Sequence, residues 1–275
     1  MITRCRPLLG TFVEITVPIG AGDAIEAAFD AIRHVHHHMS FHEPSSDLGL
    51  LRAAMPGDMV AVDRETIAVL RMAIAFHQAT GGLFEVAVGR ELVRSGFLPR
   101  KDIGRLSRFP GDTADIEIVD DRHVRCKRRL LIDLGGIAKG HAVDRAVETL
   151  IAAGIDAGLV NAGGDLRMFG YRNWQIYLRE AGGAIDHMVV LQNCAIASSA
   201  NLHNRRRHSG RTVGPHYGRA REPVLTDQRI TVVADSCLVA DAMTKVAMVD
   251  PELADNVLAA HRGHVLRQPA MATAA

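Results

Sequence analysis

Residues 132–146 read IDLGGIAKGHAVDRA. Gly135 and Gly136 stand between a short apolar run ending at Leu134 and an amphipathic stretch that opens near Lys139. Two glycines permit a tight turn and let a ligand approach the backbone closely. A helix starting near Lys139 presents free N–H groups and the positive end of its dipole, and the lysine adds a mobile cation. That combination suits a phosphate or a diphosphate. It equally describes a plain strand-to-helix turn with a solvated lysine, and the spacing is neither G-x-G-x-x-G nor G-x-x-x-x-G-K-S. A second glycine turn, VNAGGDLR, brings Asn161, Gly163, Gly164 and Asp165 to the end of another apolar strand. A third, TGGLFEVAVG, carries Glu85 just beyond a helix end. Three such turns with acidic partners point to one crevice lined by backbone.

The elements that must hold these turns follow from periodicity. GTFVEITVP alternates and reads as a half-buried strand. The stretch DAIEAAFDAIRHVHHHM places Ile25, Ala28, Phe29, Ile32, Val35 and Met39 on one helical face, with Asp23 as N-cap. A second helix covers DRETIAVLRMAIAFHQATGG and ends at Gly81 or Gly82 in a left-handed cap. Residues 96–115 read as a loop, DIEIVDDRHVRCKRRLLIDL as a hairpin turning at DDR, and residues 139–152 as a helix. Further on, GLVNAGGDLRMFG is strand, glycine turn, strand, and WQIYLRE, HMVVLQNCAIAS and RITVVAD are strands. Ser236 caps a helix, and PELADNVLAAHR is another with proline in its first turn. Strands and helices mixed without regular alternation imply an α+β fold rather than a doubly wound sheet or a (β/α)₈ barrel. We expect one domain over residues 1–268 and a frayed tail over 269–275.

Bulk properties exclude several function classes. The 275 residues carry 32 Lys and Arg against 31 Asp and Glu, so nothing in the net charge invites a nucleic acid. Cys5, Cys126, Cys194 and Cys237 show no C-x-x-C spacing, which argues against a zinc ribbon or disulfide framework and suits a reducing compartment. No long apolar segment precedes the first strand, so the expected location is cytoplasmic, with the periplasm left open. No window is apolar enough for a membrane span. His34 and His38 lie four apart on a helix and could bind a metal, but Val35 and Met39 mark that helix's buried stripe, and the two histidines are read as polar-face residues.

Taken in order, LLGTFVEITV, MSFHEPSSDLGLLR, TGGLFEVAVG, IDLGGIAKGHAVDRA, LVNAGGDLRMFG and ITVVADSCLVADAMTKVAMV resemble the ApbE-type FAD:protein FMN transferases along most of the chain. The resemblance implies a two-lobed fold of mixed sheets and packed helices with a flavin crevice between the lobes. It implies FAD as substrate, Mg²⁺ beside its diphosphate, and transfer of FMN to a threonine or serine of an acceptor protein with release of AMP. A non-catalytic FAD-binding protein and an FAD pyrophosphatase are the alternatives. Leu9, Leu83, Phe84 and Glu85 would contact the flavin or adenine portions, and Asp133 and Lys139 would hold FAD. The metal would take the Gly136 carbonyl, Asp241 and a threonine four residues after it.

Three departures stand out. The residue four after Asp241 is Lys245, in DAMTK. On residues alone this is an ordinary i,i+4 ion pair. Under the resemblance, either the Lys245 ammonium takes the place of the metal or Thr244 becomes the ligand after a small shift. A charged lysine offers only donors and ligates no Mg²⁺. Where the family often places an aromatic residue for stacking, this chain has His42. The family's His-x-x-Asp-Pro-x-Thr-Gly segment is replaced by HSGRTVGPHYGRAREPVL. There His216 is the leading candidate for the acid/base acting on the acceptor hydroxyl, with His208 behind it, although both also read as solvated loop histidines. Arg205, Arg206, Arg207, Arg219 and Arg221 would grip phosphates or an acidic partner, or form a solvated face.

Overall fold

In a computed structural model, residues 1–100, 103–179 and 185–266 are described. The expected tail, 269–275, lies outside them. The central element is a seven-stranded antiparallel sheet. Its strands, in spatial order, are β1 (Ile2–Leu8), β2 (Thr11–Val17), β6 (Gly158–Ala162), β7 (Asp165–Phe169), β10 (Ala195–Ser199), β13 (Ile230–Ala234) and β14 (His264–Leu266). Alternation in β2 sends Val13, Ile15 and Val17 fully into the core. β1 is polar and lies at the edge, so no apolar alternation marked it.

Side chains on the two faces of the sheet belong to different clusters. Val160, Ala162, Ala195, Ala197, Val232 and Ala234 join the main core under the helices. Leu159, Met168, Ile196 and Val233 point the other way and pack with Leu178 and Trp174. Those two residues belong to a two-stranded ribbon, β8 (Trp174–Arg179) and β9 (Ile185–Leu191). The stretch HMVVLQNCAIAS is therefore not one strand. Asn193 takes a left-handed φ of 47° and breaks it into β9 and β10, which serve different sheets.

On the main-core face lie α1 (Gly22–His38), α5 (Ala138–Ala152) and α6 (Cys237–Ala247), with α7 (Pro251–Leu258) against α6 and β14. The apolar stripe of α1 is buried as its periodicity requires, from Ile25 to Val35. Its N-cap is Ala21, and Asp23 lies inside the first turn instead of capping it. α5 and α6 approach so closely at Gly140 that a Cβ there would collide with the Cys237 carbonyl and lie 2.8 Å from Leu238 Cα. Ser236 caps α6 by accepting a hydrogen bond from Val239 N–H at 3.4 Å.

A smaller part holds α2 (Asp47–Ala53), α3 (Arg64–Ala79), α4 (Gly89–Arg94) and the three-stranded sheet of β3 (Met59–Ala61), β5 (His123–Cys126) and β4 (Ile116–Ile118). α3 ends in the expected glycine cap: Gly81 and Gly82 have positive φ, and Gly82 N–H donates to His77 C=O at 2.8 Å. β4 and β5 form the expected hairpin, closed by Asp120, which accepts from the Arg122 and His123 N–H groups at 2.8 Å. Residues 130–134 are extended but join no sheet. Their backbone instead bonds the wall at residues 86–89, through Asp133 N–H to Val86 C=O at 2.8 Å and Gly89 N–H to Leu131 C=O at 3.0 Å. The remaining β11 (Arg206–His208) and β12 (Arg211–Val213) form a short hairpin over the cavity region.

Replacing Gly140 with alanine should force α5 and α6 apart and lower stability by about 1–3 kcal/mol, the usual cost of overpacking a filled core. Thermal unfolding followed by circular dichroism measures it; an unchanged midpoint would contradict the close approach.

Candidate functional site

A cavity of about 430 Å³ opens between the two parts. One wall is residues 83–88, where the chain leaves α3. Thr80 shapes it: its hydroxyl donates to Phe76 C=O at 2.7 Å and accepts from Phe84 N–H at 2.9 Å. Glu85 holds it from within, accepting from Ala87 N–H at 2.7 Å and Thr113 N–H at 3.0 Å. Leu83, Phe84, Val86 and Val88 line this side with Leu92, Phe97 and Leu98, giving an apolar wall able to take a flat ring. The polar part of the lining includes Arg205, Arg206, His216 and Tyr217, and the Arg206 guanidinium lies over the Phe97 ring. Asp133, Gly135, Gly136 and Lys245 line the remainder.

The polar wall is strapped to α4. Tyr217 Oη lies 2.7 Å from Ser95 Oγ and donates to Glu91 C=O at 3.2 Å. Arg221 pairs with the buried Glu91 at 3.4 Å, and Arg206 donates to Gly96 C=O. Arg219 donates to Gly81 C=O at 3.2 Å, and Arg205 pairs with Asp227 at 2.7 Å. These four arginines are therefore tied within the chain. Arg205 and Arg206 also face the cavity; Arg207 is exposed on β11. His208 is exposed on the same strand and does not line the cavity. His216 does, and its Nδ1 is buried with no hydrogen-bond partner. Burial and the nearby Lys245 ammonium push this imidazole down to about 4.

Behind the glycine turn two buried carboxylates meet two partly exposed lysines. Lys139 pairs with Asp165, and its Nζ is 3.9 Å from Asp241 Oδ2. Lys245 pairs with Asp241 Oδ1. Burial works against the Lys139 charge, but Asp241 and Asp165 outweigh it and hold the ammonium protonated. Burial and the repulsion of Asp241 push the Asp165 carboxyl up, while Lys139 and Lys245 overcome burial at Asp241 and draw it down. Lys139 is thus a pinned residue below the cavity lining, rather than the mobile cation expected from its place near a helix start.

The other expected site residues divide as follows. Gly163 and Gly164 form the β6–β7 turn with positive φ, and Asn161 shapes it by accepting from Gly164 N–H at 2.9 Å while donating to Glu14 at 3.0 Å. Leu9, with φ of 55°, sits in the neighbouring β1–β2 turn, and Thr11 packs directly on Gly163. These turns and Asp165 meet the cavity region through Lys139, without lining the cavity. His42 is exposed beside Asp133, whose carboxyl is pushed up by burial against the pull of Gly135 N–H and His42. Thr244 is buried, and its hydroxyl donates to Asp241 C=O at 2.7 Å.

Two residues that matter were not marked by sequence spacing. Asp144 is buried on α5 and accepts from Cys237 N–H at 2.9 Å and Leu238 N–H at 2.8 Å, capping α6 from another helix while pairing with Arg167 at 2.9 Å. An acidic residue on the apolar face of HAVDRA was the available signal. Ser199 Oγ lies 2.8 Å from Thr244 Oγ1, and no pattern pointed to it. The fold also supplies carboxylates that the sequence hid from the histidine pair. Asp63 lies 3.1 Å from His34 and Asp47 lies 3.2 Å from His38. Among the described residues, His34, His38 and Asp63 are the group of three whose metal-capable atoms converge.

The ApbE family model matches residues 9–266. The chain belongs to the ApbE family. The FAD:protein FMN transferase of Treponema pallidum is 26% identical over 204 residues, 64% of this chain and 56% of that protein. The chain therefore spans little more than half the length of that relative. The FAD:protein FMN transferase of Vibrio cholerae is 25% identical over 240 residues, 79% of this chain and 70% of that one. The ApbE protein of Thermotoga maritima superposes with a TM-score of 0.83 at 26% identity, covering 96% of this chain and 93% of that one. The flavinyl transferase ApbE of Pseudomonas stutzeri shares the fold with a TM-score of 0.80 at 20% identity, over 98% of this chain and 92% of that one. The α+β architecture is that of ApbE proteins. Among the described residues no helix is long and apolar enough to cross a membrane.

In this ApbE chain, Asp144→Ala should leave Arg167 without its nearest buried partner and the Cys237 and Leu238 N–H groups without an acceptor, at a cost of about 3–5 kcal/mol. Chemical denaturation tests this. A loss below 1 kcal/mol would mean that α6 is positioned by something else.

Proposed function

We propose that this protein transfers the FMN moiety of FAD to a threonine or serine hydroxyl of an acceptor protein and releases AMP. The observation that carries the reading is a cavity lined both by an apolar wall and by His216, whose Nδ1 is unpartnered and which feels the nearby Lys245 ammonium. The apolar wall of Leu83, Phe84 and Leu92 suits an isoalloxazine ring. Lys245 faces the diphosphate, and Asp133 with the Gly135–Gly136 backbone closes the floor. His216, uncharged above about pH 4, takes the proton of the acceptor hydroxyl. The hydroxyl oxygen bonds to the FMN phosphorus, the bond from that phosphorus to the AMP phosphate oxygen breaks, and AMP leaves with the electron pair. Lys139 and Asp165 touch neither wall directly. They hold Asp241, and through it Lys245, in place. The relatives' names support this reading, as does the fold.

Incubation with FAD and a candidate acceptor should give AMP together with in-gel flavin fluorescence on the acceptor. AMP with free FMN would indicate a pyrophosphatase, and no AMP under any condition a binding protein. His216→Ala should lower transfer by about 10²–10⁴-fold with FAD affinity largely kept.

The pH dependence has a definite sign. His216 has its pKa lowered from 6.5 to about 4, so the free protein keeps the base uncharged well below the usual histidine range. The acid limb of kcat/KM should lie below pH 6.5. Stability should fall as pH drops from about 6.5 towards 4, because the unfolded chain binds this proton first. An acid limb centred at or above 6.5 and absent in no His216 variant would remove His216 from this role.

A further inference from the structure

The ammonium of Lys245 is held by oxygen on several sides. It pairs with Asp241 Oδ1 and donates to Ser199 Oγ at 3.0 Å, Thr244 Oγ1 at 3.0 Å and Asp241 C=O at 3.1 Å. Four oxygens from two elements, α6 and β10, surround one nitrogen. A carboxylate, two hydroxyls and a carbonyl form the type of donor set that binds a hard cation. The stem of the lysine also runs against the glycine turn: a Cβ on Gly136 would lie 3.2 Å from Lys245 Cε and 3.5 Å from its Cγ. The side chain thus fills the space between Gly136 and Asp241, the two positions that the family resemblance assigns to Mg²⁺.

Charge leads to the same conclusion. Asp165 and Asp241 supply two negative charges, and Lys139 and Lys245 supply two positive ones. Within this group of four, no negative charge is left over to attract a divalent ion. Mg²⁺ would further require near-octahedral oxygen ligation at about 2.0–2.1 Å. All four of the oxygens named above already accept from the ammonium, and Asp241 Oδ2 accepts from Gly140 N–H at 3.3 Å. The residues present do not fit a divalent metal.

We propose that Lys245 is a built-in cation of this site, covalently part of the chain, and that its ammonium replaces the divalent metal at the diphosphate of FAD. The inference rests on the proposed use of FAD. The side chain is 19% exposed and Lys245 lines the cavity, which leaves room for a phosphate oxygen to approach the caged ammonium. A single charge on a fixed stem supplies electrostatic stabilisation at one point, with the two hydroxyls setting its direction. A side chain at position 136 would crowd this stem, which would have to give by a few tenths of an ångström.

Mn²⁺ titration of the wild-type protein, followed by electron paramagnetic resonance, tests this without a variant, and FAD binding by flavin fluorescence quenching gives the second readout. Wild type should show no Mn²⁺ bound at this site at micromolar concentrations, and its FAD affinity should change less than twofold between EDTA and millimolar Mg²⁺. Lys245→Thr restores an oxygen ligand and frees one negative charge. It should gain Mn²⁺ binding, lose at least tenfold in FAD affinity in EDTA, and recover most of it with Mg²⁺. Tight Mn²⁺ binding by wild type that survives in Lys245→Ala and in His34→Ala but is lost in Asp241→Asn would overturn the proposal, as would a wild type that needs Mg²⁺ to hold FAD. If Lys245→Thr fails to fold, the two wild-type measurements still decide. A wild type that binds no FAD with or without Mg²⁺ would instead overturn the proposed function.

Discussion

The site depends on charge balance in a place nearly closed to water. Two carboxyl groups and two lysines sit together at the cavity, and Asp241 is fully buried within them. Burying one carboxylate alone would cost several kcal/mol, and the cost is tolerable only where opposite charges and hydrogen bonds meet it. Lys139 and Lys245 approach Asp241 through different oxygens, one from α5 and one from α6 itself. Asp165 completes the arrangement from the first residue of β7. Removing any one of the four leaves the others uncompensated, so the cluster behaves as a unit rather than as separable pairs.

What keeps these charges in register is the crossing of α5 and α6. Gly140 lets the helices touch, and four residues later Asp144 caps α6 with its carboxylate. Lys139 stands next to the same glycine, so the residue that allows the close approach also sets the reach of the lysine. From the cap at Cys237, one turn of α6 brings Asp241 over Gly140, and a second turn brings Lys245 to the cavity. One helix crossing thus sets the depth of the carboxylate and the exposure of the ammonium together.

Much of this was legible before the fold was known. The glycine turns, the helix over residues 138–152 and the apolar stripe of α1 follow from local periodicity and from the special freedom of glycine, both of which the chain writes out in order. Pairings across long stretches were not legible. Lys139 and Asp165 are 26 residues apart, and Ser199 stands 46 residues from Lys245. Nothing in a serine followed by an alanine announces a hydroxyl that helps to cage a cation. Sequence reasoning also treated 130–134 as strand, because an extended apolar segment looks the same whether it pairs with a sheet or with an irregular loop. The arginine-rich stretch around residue 206 read as a ligand grip or a solvated face, and several of its members turned out to hold their own chain together.

The ends of the central sheet are poorly suited to recruiting another strand. β1, at one margin, exposes Arg4 and contains Pro7, whose nitrogen has no proton to offer, and Arg6 is drawn into an ion pair with Glu26. At the other margin β14 offers three residues. Like-charged neighbours and a short rim discourage stacking of one molecule on the next. An extended segment that approached this sheet would meet a proline and two arginines at one edge and a three-residue strand at the other.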